Sequence, residues 1–244
     1  MIFQCLSAEL KSVFIFEELR YYTVMPEVPF YLKNMTHKQN VVASFVTRVP
    51  GVVVDNDRAL TVARLKPSHQ QVVKELGFTW NQLHLAEQVH GGDIQVVEIG
   101  SEAKVWQNVD GLITADRDIL LGIYVADCGA VYMSDPVKNV IALLHSGKKG
   151  TEADITGKAI RMMKERYGSD PRDILVALAP CVRPPVYEID FAQDIYQQAL
   201  TAGVRKENFQ DSKICTSSDL KRYYSYRVEQ GCTGRMLALL GQKG

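Results

Sequence analysis

Short apolar runs, separated by polar and turn-forming residues, dominate the middle of the chain and predict β-strands. The runs stand in the segments DIQVVEI, DGLITAD, ILLGIYVADC, AVYMSDP, VIALLHSG and DILVALAP. They are rich in β-branched residues and are bounded by Asp, Pro, Asn and Gly, as the strands of a sheet commonly are. Several are apolar at nearly every position, which is typical of strands that are buried on both faces.

Two other segments have apolar residues at helical spacing instead. In residues 67–78 the periodic pattern follows Ser68, which is the predicted N-terminal cap, and in residues 152–168 the pattern ends at Gly168. Both are predicted to be surface helices with one buried face. Helices between and after the strands predict an α+β fold in layers, with a mixed β-sheet covered by helices on at least one face.

Composition and charge narrow the class of protein. No linker, low-complexity tract or repeat marks a boundary, so a single domain over residues 1–244 is predicted. Lys plus Arg and Asp plus Glu number 28 each, so no bulk field draws the chain to nucleic acid or to an anionic membrane. No window approaches the roughly 18 to 20 apolar residues that cross a bilayer, and residues 1–25 lack the features of a signal peptide. A cytoplasmic protein is predicted, and its oligomeric state is left open.

The cysteines predict reduced thiols, because they are odd in number, scattered and without a CxxC pair. They are Cys5, Cys128, Cys181, Cys215 and Cys232. Cys128 differs from the others, since it follows the apolar run of ILLGIYVADC at the point where the strand leaves the core. The plain alternative for Cys128 is a small buried hydrophobic residue.

Two histidines occupy comparable positions. His145 closes VIALLHSG, and His90 precedes two glycines in QVHGGDIQVV. Imidazole and thiolate are the donors that zinc or copper prefers, and the ends of strands in a sheet converge, so His90, Cys128 and His145 are candidate ligands of one metal. The alternatives are a core histidine with a satisfied ring for His145 and a solvated loop residue for His90. His69 and His84 lie in more polar segments and are predicted to be surface residues.

The segments QVHGGDIQVV, DGLITADRDILLGIYVADC, ALLHSGKKGT, APCVRPPVYEID and YYSYRVEQGCTGR resemble the laccase-domain family. The motifs run in the family's order from about Ser44 to Arg235. Members are also called multicopper polyphenol oxidases, or purine nucleoside phosphorylases of the YfiH kind. The resemblance implies that His90, Cys128 and His145 bind one catalytic metal, usually zinc, with copper as the alternative.

The resemblance also implies an activity, the cleavage of adenosine- or inosine-type purine nucleosides by phosphate, with adenosine deamination as a second reaction. Purine nucleosides and phosphate are therefore the expected partners. Three protein ligands leave one position of a tetrahedral zinc open, as in catalytic sites. Phosphate also needs cations, and the candidates are Arg48 in FVTR, matching the family's F-x-T-R motif, and Lys149. The alternatives are a surface salt bridge for Arg48 and a solvated turn for Lys149.

Several positions depart from the family's pattern. Lys148 and Lys149 stand where the family usually has the Trp and Arg of HAGWRG, Gly129 replaces the proline after A-D-C, and Val228 replaces a second arginine. A lysine ammonium is a point charge and does not reproduce a bidentate guanidinium. The phosphate affinity or the substrate choice is therefore predicted to differ from the family's.

Two further functions compete with the nucleoside enzyme. A non-catalytic relative or protein-interaction module would keep the metal for stability, and the altered loop at Lys148 and Lys149 favours this alternative. A copper-dependent polyphenol oxidase ranks last, because a multinuclear copper cluster needs many imidazoles and the chain has five histidines.

Overall fold

The computed structural model describes residues 28–36, 40–102 and 105–244. The segment analysed above for a signal peptide, and Cys5 within it, lie outside these residues. The strands in the described ranges are β1 (Val41–Val46), β2 (Leu83–Ala86), β3 (Ile94–Val96), β4 (Val105–Trp106), β5 (Gly111–Thr114), β6 (Leu120–Val125), β7 (Gly129–Asp135), β8 (Val140–Ser146), β9 (Leu175–Leu178), β10 (Phe209–Asp211) and β11 (Met236–Gln242). The α-helices are α1 (Lys33–Thr36), α2 (Arg58–Glu75), α3 (Lys148–Glu152), α4 (Ile155–Tyr167) and α5 (Phe191–Thr201).

The strands form two mixed sheets. The first has the order β1-β11-β6-β2-β4 and the second the order β10-β9-β7-β8-β5-β3. The predicted α+β class is confirmed, but the strands fall into two sheets, whereas the sequence pattern placed them in one. Apolar runs show that a strand is buried on both faces, but they do not show which strands are hydrogen-bonded to each other.

Side chains that alternate along each strand divide the core into layers. On β6, Leu121 and Ile123 face the second sheet, where they pack in one cluster with Tyr132 and Leu143. The opposite face of the first sheet packs against α2 and the segment after it, and the opposite face of the second sheet packs against α4 and α5. The result is a helix, sheet, sheet, helix arrangement, in which the ends of β6 and β8 lie close together.

The two predicted helices have different outcomes. The helix α4 follows the predicted segment and ends at Gly168, which adopts a left-handed φ of 70°. The helix α2 begins earlier than predicted, at Arg58, because Asp57 and not Ser68 caps it by accepting hydrogen bonds from backbone N–H groups. The early turns of α2 bury a stripe that contains polar residues, so an apolar pattern did not reveal them. None of the helices in the described ranges is long and apolar enough to cross a membrane.

The surface placement predicted for His69 and His84 is wrong. Both side chains are buried, His69 completely. Nδ1 of His69 lies 3.4 Å from the hydroxyl of Tyr124, and Nδ1 of His84 accepts a hydrogen bond from the indole of Trp106 at 3.2 Å. The residues next to each histidine in sequence are polar, but aromatic side chains from elsewhere in the chain cover both rings.

Burial of His69 makes the stability of the fold depend on pH. Burial lowers the pKa of His69 to about 4, so between pH 4 and the ordinary pKa of about 6.5 the unfolded chain binds more protons than the folded one. The stability is therefore fully present above about pH 6.5 and falls as the pH decreases toward 4, by about 3 kcal/mol. Chemical denaturation of the wild type and of His69→Leu across this range measures the effect. A stability difference between the two proteins that does not change with pH would contradict it.

Candidate metal centre

His90, Cys128 and His145 converge at one end of the two sheets. Their ligand atoms all lie within 4.8 Å of one another. His145 lies in β8, Cys128 in the tight turn between β6 and β7, and His90 in the loop between β2 and β3. The ring centroids of His90 and His145 are 4.8 Å apart and their planes are nearly perpendicular. The structure therefore brings together three donors that are far apart in sequence.

Two residues in or next to this cluster have left-handed backbone conformations. His90 has a φ of 62° and Asp127, the residue before Cys128, has a φ of 82°. Such left-handed conformations are costly for residues other than glycine, so surrounding contacts must stabilise them. Gly147 is needed for space, since a Cβ atom there would lie 2.5 Å from the sulfur of Cys128.

Asp110 connects two of the three donors, and the sequence analysis missed it. Its Oδ1 lies 2.7 Å from Nδ1 of His145, which leaves Nε2 of that ring facing Cys128, the side on which a metal would bind. The same carboxylate accepts hydrogen bonds from the backbone N–H groups of Val89, His90 and Gly91. Asp110 thus orients the His145 ring and also fixes the strained backbone of His90. Its position immediately before β5 was the one signal in the sequence, and an acidic residue beside a buried strand is too common to be specific.

The charges in this cluster stabilise one another. Burial opposes ionisation of Cys128, but the charge of His145 and hydrogen bonds from His145 and His90 outweigh it and lower the pKa of the thiol to about 6. Burial also acts against protonation of His145, but the charge of Cys128 and the hydrogen bond to Asp110 raise its pKa to about 9. Both shifts favour the thiolate of Cys128, the form that binds metals.

Asp127 fixes a second loop to the cluster. This buried carboxylate accepts hydrogen bonds from the hydroxyl of Thr216 at 2.5 Å, the hydroxyl of Ser225 at 3.1 Å and the backbone N–H of Arg227 at 2.6 Å. Because Asp127 is adjacent to Cys128, these bonds set the position of the 225–235 loop relative to the sulfur.

A cavity of about 730 Å³ opens beside the three donors and includes them in its wall. The wall also contains aromatic side chains, among them Tyr187, Phe191 and Tyr226. Its cationic side chains are Arg58, Lys148, Lys149, Arg227 and Arg235. Asp127 is the single carboxylate of the wall within the described residues, and its oxygens are occupied by the hydrogen bonds given above. This volume lies within the range of roughly 300–1,000 Å³ that is usual for small-molecule sites.

The two predicted phosphate ligands lie in different places. Lys149 is in the wall of the cavity, whereas Arg48 is not. A guanidinium nitrogen of Arg48 donates to Glu229 at 2.6 Å, and the group lies 4.2 Å from the centre of the Tyr224 ring. Glu229 also accepts from Ser225 and Thr233, so Arg48 connects β1 to the 225–235 loop. This geometry agrees with the alternative given above for Arg48, a salt bridge.

The donor set fits one borderline-soft metal ion. Two imidazoles and a thiolate are typical zinc ligands, and Asp110 supplies the outer hydrogen bond that usually orients a ligating histidine. A cluster of several copper ions fits poorly, because His90 and His145 are the two imidazoles that the described part of the chain brings to this site. The other cysteines of the described ranges, Cys181, Cys215 and Cys232, are free thiols outside the donor group.

Comparisons with known proteins agree with this architecture. Purine nucleoside phosphorylase YlmD of Geobacillus stearothermophilus is 29% identical over 230 residues, covering 79% of this chain and 82% of that protein. Purine nucleoside phosphorylase YlmD of Bacillus subtilis is 26% identical over 254 residues, covering 86% of this chain and 91% of that protein. The crystal structure of the Geobacillus protein superposes with a TM-score of 0.78 at 26% identity, covering 85% of this chain and 93% of that one.

A second solved structure shows the same fold. It is that of the Bacillus licheniformis hypothetical protein YfiH, with a TM-score of 0.76 and 24% identity over 86% of this chain and 94% of that one. The family model described as "Multi-copper polyphenol oxidoreductase laccase" matches residues 51–195 and 188–243, which is most of the chain. This protein therefore belongs to the multi-copper polyphenol oxidoreductase laccase family.

Proposed function

We propose that this protein is a zinc-dependent purine nucleoside phosphorylase that cleaves adenosine- or inosine-type nucleosides. The observation that carries the proposal is the grouping of His90, Cys128 and His145 in the wall of a cavity whose lining also includes five cationic side chains and several aromatic rings. The similarity to the purine nucleoside phosphorylases of Geobacillus and Bacillus supports the same reaction class. Zinc bound by three protein donors would supply a Lewis acid with one open coordination position.

The residues of the wall have distinct roles in this proposal. Lys149, with Lys148 beside it, holds the phosphate dianion near C1′ of the sugar. The flat faces of Tyr187 and Tyr226 offer stacking surfaces for the purine. A phosphate oxygen forms a bond to C1′ while the bond from C1′ to the purine nitrogen breaks. The purine leaves with the electron pair and takes up a proton.

Arg48 takes a supporting role instead of binding phosphate directly. Its ion pair with Glu229 and its contact with Tyr224 fasten the 225–235 loop, which carries Tyr226, to β1. Arg48 would thus influence the shape of the cavity without touching the substrate.

Adenosine deamination is the second candidate activity. The donor set favours it, because zinc sites with three protein ligands and an open position commonly activate water. A non-catalytic role for the metal and phenol oxidation with copper are the remaining alternatives, and the same purified protein tests all of them.

The test is a reaction of the zinc-loaded protein with adenosine, with and without phosphate, analysed by chromatography. We expect adenine to form only when phosphate is present, and inosine to report deamination. If the protein contains stoichiometric zinc but releases neither base nor inosine, the metal has a structural role and the proposal is wrong. A copper-loaded sample incubated with a phenol tests the oxidase alternative.

Replacing Lys149 with methionine is expected to raise the apparent KM for phosphate about tenfold, because a charge-assisted hydrogen bond to the dianion is lost. Arg48→Met is the comparison variant. It should reduce thermal stability, because Glu229 loses its partner, while the phosphate dependence changes much less. Steady-state rates over a phosphate titration measure both effects. A larger change in phosphate KM for Arg48→Met than for Lys149→Met would reverse the two assignments.

A further inference from the structure

Arg58 and Arg235 also line the cavity, and they come from other elements of the fold than the two lysines. Arg58 is the first residue of α2, which covers the first sheet, and Arg235 immediately precedes β11 in that sheet. Lys148 and Lys149 belong to α3, which follows β8 of the second sheet. The cavity wall therefore receives positive charge from elements of both sheets.

Neither arginine forms an ion pair with a carboxylate of the described residues. Arg58 donates to the neutral side chain of Gln88 at 3.3 Å, and Arg235 donates to the backbone carbonyls of Thr233 and Gly234. Burial, together with the nearby charge of Arg58, lowers the pKa of Arg235. The opposite charges nearest Arg235 are those of Cys128 and Asp127, and both are engaged by the histidines and the hydrogen bonds described above. Two guanidiniums that repel each other and lack a carboxylate at ion-pair distance favour an anion between them.

The excess of cations in the cavity wall does not reflect the charge of the whole chain. Lys plus Arg and Asp plus Glu balance at 28 each, so a cavity with several unpaired cations is a local feature. A purine nucleoside is neutral, and inorganic phosphate supplies one anion, which the proposed function places at Lys149. The arginine pair then calls for a second anion, and the natural position for it is on the nucleoside itself.

We infer that Arg58 and Arg235 bind the phosphomonoester of a purine nucleoside 5′-monophosphate, so that nucleotides are the preferred substrate class. This inference rests on the proposed function for its reaction but not for its binding site. In the reaction an oxygen of inorganic phosphate forms a bond to C1′, and the bond from C1′ to the purine nitrogen breaks. The purine takes the electron pair and a proton, and the sugar product is ribose 1,5-bisphosphate, with no change in oxidation state.

Binding is measured by calorimetry on the zinc-loaded protein with adenosine 5′-monophosphate, adenosine and inorganic phosphate. We expect the monophosphate to bind about tenfold more tightly than adenosine, which corresponds to one charge-assisted contact. Arg58→Met should remove most of this advantage and leave adenosine affinity within about twofold. Arg64→Met is the matched control, because Arg64 lies on the same helix outside the cavity wall and near Asp55.

The outcomes separate this inference from the proposed function. Equal affinities for adenosine and its monophosphate would overturn the inference. So would an Arg58→Met protein that loses as much affinity for inorganic phosphate as for the nucleotide, because the pair would then hold the attacking phosphate. Tight, Arg58-dependent nucleotide binding without release of adenine would uphold the binding site and reject the phosphorylase. Mass spectrometry identifies the sugar product of each reaction. Ribose 1,5-bisphosphate is expected from the monophosphate and ribose 1-phosphate from adenosine.

Discussion

Replacement of Cys128 with alanine is expected to abolish nucleoside cleavage and to remove most of the bound zinc. The thiolate supplies the one negative charge among the three donors, and loss of a direct ligand should weaken zinc binding by more than the roughly 10- to 100-fold typical of an outer-shell change. The fold should persist, since a core of this size does not depend on one ion. Metal analysis, chelator competition and thermal unfolding of the same preparations measure the three effects.

Cys232→Ala is the control for that experiment, because Cys232 is an exposed thiol outside the donor group. It should retain the zinc content and activity of the wild type. If purified wild type holds no stoichiometric zinc or copper without chelator, or if Cys128→Ala keeps both metal and activity, Cys128 is only a small buried side chain.

Replacement of Asp110 with asparagine is expected to weaken zinc binding about 10- to 100-fold and to destabilise the protein by about 3 kcal/mol. The amide keeps the size of the carboxylate but lacks its charge and half of its acceptor oxygens. Some of the four donors, His145 and the backbone N–H groups of Val89, His90 and Gly91, would lose their partner in a buried place. Burial acts against the charged form of Asp110, yet these hydrogen bonds hold its pKa below the ordinary value.

Chelator competition at constant pH measures zinc affinity separately from protein stability, so it distinguishes a role of Asp110 in positioning the ligands from a role in stabilising the fold. Asp194→Asn, at an exposed position in the first turn of α5, should leave zinc affinity unchanged and lower stability by less than about 1 kcal/mol. An Asp110→Asn protein that is less stable but binds zinc within twofold of the wild type would show that Asp110 supports the fold alone and does not position the ligands.

Much of the fold follows from local pattern. The apolar runs predicted β5 to β9 because burial on both faces leaves a recognisable composition, and they predicted β3, a partly buried edge strand, from its β-branched residues. The helix α4 followed from its period and its terminal glycine. The strands β1 and β11 were not predicted, although they pair with each other from opposite parts of the chain. Pairing between such distant segments depends on how the chain is packed, which the period of one segment does not report.

The candidate site was likewise predicted from the sequence only in part. The sequence by itself determined which residues have metal-binding chemistry, namely His90, Cys128 and His145, together with the family to which the chain belongs. Their role as ligands stays a prediction, and the structure adds the distances that make it testable.

The tertiary structure alone decided the environment of those side chains. It placed Asp110 against His145, paired Arg48 with Glu229 across 181 positions and buried His69 under Tyr124. It also brought Arg58 and Arg235 to one cavity. A sequence pattern reports the period and the average burial of one segment, whereas hydrogen bonds, ion pairs and pKa shifts arise between groups that meet only when the two sheets and their helices pack together.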